Sequence, residues 1–129
     1  MIYVTSFIFH SCLIYIGLAV NQENKTMNDG LEITSMRESA DTVVGILKTM
    51  ANTDRLLILC HLSQQELNVS QIEEKTQIHQ PTLSQQLMML RKSDVVNTRR
   101  DGKQIFYSIK DDKMVQVLNT LYVLYCQQD

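Results

Sequence analysis

Residues 70–93 read SQIEEKTQIHQPTLSQQLMMLRKS, and this stretch decides the fold. Ser70 and Glu73 have the spacing of a capping box, in which the serine hydroxyl accepts from the amide three residues on and the glutamate reaches back to the serine amide. A short helix over about 71–77 is therefore expected. A turn at 78–80 leads to a second helix, so the stretch predicts a helix–turn–helix unit.

The second helix has an apolar back and a polar front. Pro81 suits its first position, because proline lacks the N–H that would be unpaired there. The leucines of the back recur at helical spacing, at Leu83, Leu87 and Leu90. The other sides carry short uncharged hydrogen-bonding groups, at Thr82, Ser84, Gln85 and Gln86. An ordinary surface helix has this composition too, but such a front also suits base edges in a major groove, which is about as wide as a helix.

A β-hairpin is predicted directly after the second helix. Residues 95–100 and 104–109 favour strands, and the Asp-Gly pair between them is a strong turn signal. From Arg91 to Lys103 there are five basic and two acidic residues, a local charge of +3 in a chain whose net charge is −2. Basic residues on a hairpin tip beside a polar helix are well placed for DNA phosphates or a minor groove.

Together the polar helix front, the hairpin and its basic residues predict a surface that binds double-stranded operator DNA. The predicted DNA contacts are Gln80, Thr82, Ser84, Gln85, Gln86, Arg91, Arg99, Arg100, Lys103 and Gln104. A thiol-dependent enzyme would need a positioned base and an oxyanion site, and no Cys/His/Asp constellation stands out. The protein is therefore predicted not to be an enzyme.

Further helices are expected over about 36–50, 54–63 and 112–127, each with an apolar stripe. The order is α-α-α-α-β-β-α, and the predicted fold class is mainly α with a β-hairpin wing, a winged helix-turn-helix. A chain of 129 residues that is 44% hydrophobic suits one such domain, which we expect over 36–129. Residues 21–35 are polar and are predicted to form a flexible lead-in.

Residues 1–20, MIYVTSFIFHSCLIYIGLAV, are strongly apolar and uncharged. A secretory signal would need a positively charged start, and the first basic residue is Lys25. About 20 apolar residues suffice for a membrane span, so a membrane anchor, and with it a membrane-tethered regulator, is one interpretation. We favour a physiological start at Met27 or Met36, because the residues after Met36 read as a self-contained domain. A cytoplasmic location is then expected, with membrane contact only if residues 1–20 are genuine.

Over about residues 36–127 the chain resembles the ArsR family of small bacterial repressors. The matching runs are DRLLIL at 54–59, PTLSQQL at 81–87 and RRDGKQIFY at 99–107. The resemblance implies a homodimer formed through the first and last helices, and an operator complex that an inducer dissociates. A last helix rich in tyrosine and leucine agrees with such a contact between copies. Asp94 departs from the family pattern, which has glycine after the recognition helix.

Members of this family often sense metals, but the usual ligands are missing. The run ELNVS at 66–70 has no cysteine, and the last predicted helix has no histidine. Zinc takes about four Cys, His or carboxylate ligands. Cys60 and His61 are consecutive on a helix and therefore point about 100° apart. No metal site and no cofactor is predicted, and a metal-responsive repressor remains an alternative function.

Cys60 on the second helix and Cys126 near the end of the last are the predicted redox-sensing residues. In this architecture the last helix can pack across the second, so the two thiols are expected to face each other. Cytosolic thiol pairs are more often redox-sensing or metal-binding than structural. The alternative is two small buried hydrophobes, as free cysteines commonly are.

The similarity narrows to the sulfide-responsive BigR/SqrR repressors through Leu59-Cys60, residues 80–87 and 103–107, and the tail from Leu118 to Cys126. It implies a thiol switch that answers persulfides and hydrogen sulfide. Reactive sulfur species would oxidise or crosslink the Cys60/Cys126 pair, and the repressor would then leave its operator. Cys60 is the expected attacking thiol. His61 projects from another side of its helix and is not expected to activate it.

Overall fold

The computed structural model describes residues 29–127, and side-chain environments from Glu32 onward. The chain divides into two compact units, Met1–Arg37 and Glu38–Asp129. The described helices are α1 Asp29–Met50, α2 Thr53–Leu62, α3 Val69–Thr76, α4 Thr82–Lys92 and α5 Asp112–Tyr125. The strands are β1 Leu67–Asn68, β2 Val96–Asp101 and β3 Gln104–Ile109. The predicted fold class and element order are confirmed, with a short strand added before α3.

The first helix is longer than predicted. It begins at Asp29, so the part of the predicted lead-in that the structure describes is helical rather than irregular. Residues 31–37 contain neither glycine nor proline, so nothing in them stops a helix from starting earlier. Within residues 29–127 no helix combines the length and hydropathy needed to cross a bilayer. The apolar segment 1–20 lies outside the described residues, and its interpretation stays a prediction.

The core lies where α2, α3, α4 and α5 meet the sheet. The largest fully buried side chains are Ile58, Leu59, Leu67, Ile72, Leu83, Leu90 and Leu118. Leu83 and Leu90, with the nearly buried Leu87, form the predicted apolar back of α4. Packing along this row determines which side of α4 faces outward.

The wing is a two-stranded antiparallel hairpin whose inner strand also pairs with β1. The sheet order is β1-β3-β2, with Asp101 opposite Gln104 at the tip. The two loop residues are therefore Gly102 and Lys103 rather than the predicted Asp-Gly pair. Gly102 has a φ of 59°, a left-handed conformation that glycine adopts without steric cost.

The start of α3 differs from the predicted capping box. Asn68, not Ser70, is the N-cap: its Oδ1 accepts from the Gln71 amide at 2.9 Å, and the Asn68 amide donates to Gln71 Oε1 at 2.9 Å. The sequence holds two overlapping capping patterns, and pairing of β1 with β3 selects the earlier one. Because β1 ends at Asn68, the helix begins at the next residue and Ser70 becomes part of it.

The turn after α4 accounts for a departure from the family pattern. Asp94 has a φ of 56°, in the left-handed region where glycine is the usual residue. Aspartate is among the few other residues that visit this region routinely. Its carboxylate also pairs with Lys110 Nζ at 2.5 Å, which fastens the turn to the end of β3.

The cap assignment predicts unequal effects at two nearby positions. Asn68→Ala removes the side-chain acceptor for α3 and should lower the free energy of unfolding by about 1–2 kcal/mol. Ser70→Ala, at an exposed position inside the helix, should change it by less than about 0.5 kcal/mol. Urea denaturation followed by circular dichroism measures both, and a larger loss for Ser70→Ala would contradict the assignment.

Candidate DNA-binding surface and thiol pocket

The outward side of α4 carries only part of the predicted polar front. Ser84 and Gln85 are exposed, whereas Thr82 and Gln86 are half-buried. Gln80, just before the helix, accepts from the Ser84 amide at 3.2 Å and from the Ser84 hydroxyl at 2.5 Å. Pro81, the residue before α4, provides no side-chain cap. The Gln80 side chain instead accepts from a backbone N–H of the first turn that would otherwise lack a partner.

Gln86 belongs to a hydrogen-bonded contact between three helices that is centred on Arg55, which we call the Arg55 joint. Its Oε1 accepts from Arg55 Nη1 at 3.2 Å, and Arg55 Nε donates to the Thr49 carbonyl at 2.6 Å. A further Arg55 donor lies 3.4 Å from the Lys48 carbonyl. One guanidinium on α2 thus ties the end of α1 to the middle of α4, so this predicted DNA contact also has a structural role.

The wing places its polar residues in different surroundings. Gln104 Oε1 accepts from Asn68 Nδ2 at 3.1 Å, which links the wing to the start of α3. Arg99 pairs with Glu66, with 2.6 Å between Nη2 and Oε1. Arg100 and Lys103 are exposed near the tip. Arg99, Arg100 and Lys103 therefore lie in one hairpin, and Arg99 already holds a carboxylate partner.

One exposed residue of this surface was missed by the sequence prediction. Met88 lies four residues after Ser84, on the same outward side of α4, and is 63% exposed. Helical spacing from Ser84 locates this position, whereas its apolar side chain gives no sign of DNA contact. Arg91, in the last turn, is exposed as well.

The two predicted sensing cysteines line one cavity. This cavity, of about 450 Å³, lies between α2 and α5, and its lining residues are Leu57, Cys60, His61, Ser63, Gln64, Leu118, Tyr122 and Cys126. Cys60 is half-buried on α2, and Cys126 is the exposed residue that ends α5. Both are free thiols in this structure. The tertiary fold thus brings together two residues that lie far apart in sequence.

The cavity is mostly apolar, and this affects the chemistry of Cys60. Burial of its sulfur, and to a lesser extent the negative charge of a Cys126 thiolate, raise the pKa of the Cys60 thiol. His61 lines the same cavity, contrary to the expectation that it projects elsewhere. Leu57, Cys60 and His61 all line the cavity, and their i, i+3, i+4 spacing places them on one side of α2.

Metal ligands are not grouped in the part of the chain that the structure describes. Within it, no three His, Cys, Asp or Glu side chains lie close enough to hold one ion. Cys60, His61 and Cys126 share the cavity described above without forming such a group.

Similarity to known proteins agrees with this architecture. The family described as "Bacterial regulatory protein, arsR family" matches residues 52–98. The Biofilm growth-associated repressor of Agrobacterium fabrum is 43% identical over 96 residues, which cover 74% of this chain and 82% of that protein. The chain belongs to the ArsR family.

Two further ArsR-family relatives extend the similarity. The crystal structure of the transcriptional repressor BigR from Xylella fastidiosa superimposes with a TM-score of 0.69 at 43% identity, covering 74% of this chain and 97% of that one. The transcriptional activator HlyU of Vibrio cholerae is 35% identical, covering 75% of this chain and 90% of that protein. These relatives, two repressors and one activator, are transcriptional regulators rather than enzymes.

The surroundings of Cys60 predict an unusual pH profile. Its alkylation by iodoacetamide should keep accelerating above about pH 8.5, the ordinary thiol pKa, because only the thiolate reacts. In Cys126→Ser the pH at which the Cys60 alkylation rate rises should decrease. It should still be higher than the corresponding pH for a small free thiol, because burial is the larger cause of the raised pKa. Peptide-resolved mass spectrometry over pH 7–10 measures the rate, and a Cys60 profile that coincides with the free thiol would contradict the prediction.

Proposed function

We propose that the reduced protein binds operator DNA as a homodimer and releases it when reactive sulfur species bridge Cys60 and Cys126. The observation that carries this proposal is the shared cavity, which both thiols line between α2 and α5. Two sulfur atoms at one cavity allow a covalent link between two helices of the DNA-binding domain. Neither cysteine alone would couple a chemical signal to helix movement.

DNA binding is assigned to the outward side of α4 and to the wing. Ser84 and Gln85 are exposed on α4, with hydrogen-bonding groups suited to base edges. The other proposed contacts are Gln80, Thr82, Gln86, Arg91, Arg100, Lys103 and Gln104. Arg99, predicted from the sequence as a further contact, is left out because Glu66 already holds its guanidinium. Two copies related by a dyad would present two such helices to half-sites about one DNA turn apart.

Dimerisation is proposed through α1 and α5, because both expose apolar side chains. On α1 the exposed residues Val43, Val44 and Leu47 share one side at helical spacing, and on α5 Val117 and Leu124 do so. Leu124 is 64% exposed in a single chain. Contiguous apolar surface of this kind on a small domain marks an interaction site, and a second copy offers the matching surface.

The chemistry of the switch is thiol–persulfide exchange. Each cysteine thiolate attacks the outer sulfur of an organic persulfide, forming a cysteine persulfide and releasing the organic thiol. The outer sulfur of one cysteine persulfide then attacks the cysteine-bonded sulfur of the other. A trisulfide bridge forms between the two cysteines, and the outer sulfur of the second persulfide leaves as hydrogen sulfide. This leaving sulfur is reduced while the two thiols are oxidised to the bridge.

A polysulfide bridge also accounts for selectivity. A simple disulfide needs Cα atoms within about 7 Å of each other, and each inserted sulfur lengthens the bridge by up to about 2 Å. For thiols on two helices that border one cavity, we propose a link through an additional sulfur rather than a direct disulfide. A peroxide, which supplies no sulfur, is the less effective inducer.

The Arg55 joint provides a path from the bridge to the DNA surface. Arg55 and Cys60 lie on the same short helix, and Arg55 Nη1 holds Gln86 of α4 at 3.2 Å. Drawing the Cys60 end of α2 toward α5 therefore changes the position that α4 takes. A difference of about 1–3 kcal/mol between the two states suffices for release, as in typical allosteric coupling.

The thiol switch is tested by gel shift on the upstream promoter, with and without an organic persulfide. Treatment should weaken binding by the wild type about tenfold or more, as coupling of this size implies. Cys60→Ser and Cys126→Ser should keep full binding after treatment. Cys12→Ser is the matched control and should respond like the wild type. A Cys60→Ser variant that still releases DNA would exclude the bridge.

The dimer is tested by sedimentation equilibrium on the reduced protein. The wild type should behave as twice the 14.9 kDa chain. Leu124→Glu places a charge in the proposed apolar contact and should shift the protein toward a monomer. Met88→Glu makes the same change on an exposed α4 position and should leave the mass unchanged. Equal masses for wild type and Leu124→Glu would remove α5 from the interface.

A further inference from the structure

The outer face of the wing carries an ion pair that crosses all three strands. Arg99 on β2 lies opposite Phe106 on β3, and Phe106 lies opposite Asn68 on β1. Glu66 immediately precedes β1, on the far side of the sheet from β2. The Arg99 side chain therefore reaches over the central strand to a carboxylate on the opposite edge.

The geometry of this pair is specific. Arg99 presents two donors to Glu66: Nη2 lies 2.6 Å from Oε1, and Nε lies 3.2 and 3.3 Å from the two carboxylate oxygens. The guanidinium carbon also lies 4.6 Å from the centre of the Phe106 ring, at cation–π distance. A forked ion pair resting on an aromatic ring restricts the arginine far more than a single exposed contact would.

Strand alternation separates Arg99 from its neighbour Arg100. Side chains along a strand alternate between the two faces, so Arg100 shares a face with the buried Val96. That face packs against the helices, and α4 contacts β2 there. Arg100 therefore lies on the side of the wing that carries α4, and Arg99 starts from the other side. Because β2 is an edge strand, an Arg99 side chain released from Glu66 can reach past that edge toward DNA.

The charges around Arg99 also disfavour a phosphate. Asp101 lies 3.9 Å from Arg99 Nη1, so two carboxylates flank one guanidinium and the local charge is −1. The hydrogen bond from Arg99 lowers the pKa of Glu66, so this carboxylate, charged at neutral pH like any glutamate, stays charged to a lower pH than usual. A DNA phosphate that approaches Arg99 therefore meets two negative groups.

We infer that Glu66 limits the DNA affinity of this protein by holding Arg99 on the outer face of the wing. The phosphate contacts of the wing then come from Arg100 and Lys103. Glu66 is a positioning residue, which acts through Arg99 and does not itself touch DNA. The inference rests on DNA binding by the reduced protein and is independent of the thiol switch.

The test is the salt dependence of DNA binding by the reduced full-length protein. Dissociation constants for a duplex from the upstream promoter are measured between 50 and 200 mM salt. Each phosphate contact contributes about 0.9 to the slope of log Kd against log salt, which is about a 3.5-fold change over this range. The variants are Glu66→Gln, Arg99→Ala, Arg100→Ala and the double variant Glu66→Gln/Arg99→Ala.

Glu66→Gln should bind more tightly and steepen the slope by about 0.9, because the released Arg99 gains a phosphate. Arg99→Ala should leave the slope unchanged, whereas Arg100→Ala should reduce it by about 0.9. In the double variant the gain from Glu66→Gln should disappear. This control separates the release of Arg99 from the simple loss of a negative charge.

A slope reduced by Arg99→Ala as much as by Arg100→Ala would overturn the inference. So would a gain that persists in the double variant, or an unchanged slope in Glu66→Gln. Thermal melting checks the fold of each variant, and Glu66→Ala provides a second way to release Arg99. If the wild type failed to bind the duplex, DNA binding itself would be contradicted, which is a different result from unchanged slopes.

Discussion

The winged helix depends on the burial of one row of leucines. Leu83 and Leu90 on α4 are fully buried and Leu87 is 3% exposed. Burial of such a side chain is worth about 1.5–3 kcal/mol relative to exposure. Rotation of α4 would expose this row, so packing on one side of the helix holds Ser84 and Gln85 on the other. The orientation of the recognition surface is therefore a consequence of the hydrophobic core.

The helix α2 connects that core to the two candidate sites. Ile58 and Leu59 are fully buried, and Cys60, next along the helix, lines the cavity shared with Cys126. At its other end Arg55 joins the end of α1 to Gln86 on α4. A ten-residue helix that contributes to the core, the cavity and the recognition helix cannot move without affecting all three. This arrangement is the physical basis of the proposed coupling between thiol chemistry and DNA binding.

Electrostatics in this chain are local. The net charge is −2, yet the stretch from Arg91 to Lys103 carries +3. The tertiary structure redistributes that charge, because Arg99 pairs with Glu66, which lies outside the basic stretch. Exposed pairs of this kind contribute little to stability and are screened by salt. The Arg99–Glu66 pair matters here because it decides which basic side chains of the wing remain available to bind DNA. Arg100 is one of those that remain.

The sequence by itself determined the helix order, the apolar row of α4 and the hairpin, because periodicity and turn chemistry are local properties. It located the α3 cap only approximately, since two overlapping patterns compete and strand pairing selected Asn68. Only the tertiary structure brought Cys60 and Cys126 to one cavity and Arg99 to Glu66. These pairs are separated by 66 and 33 residues, and no local rule relates such positions. Their proximity follows from how α5 packs on α2 and how β1 joins the hairpin, which depends on the burial of the whole core.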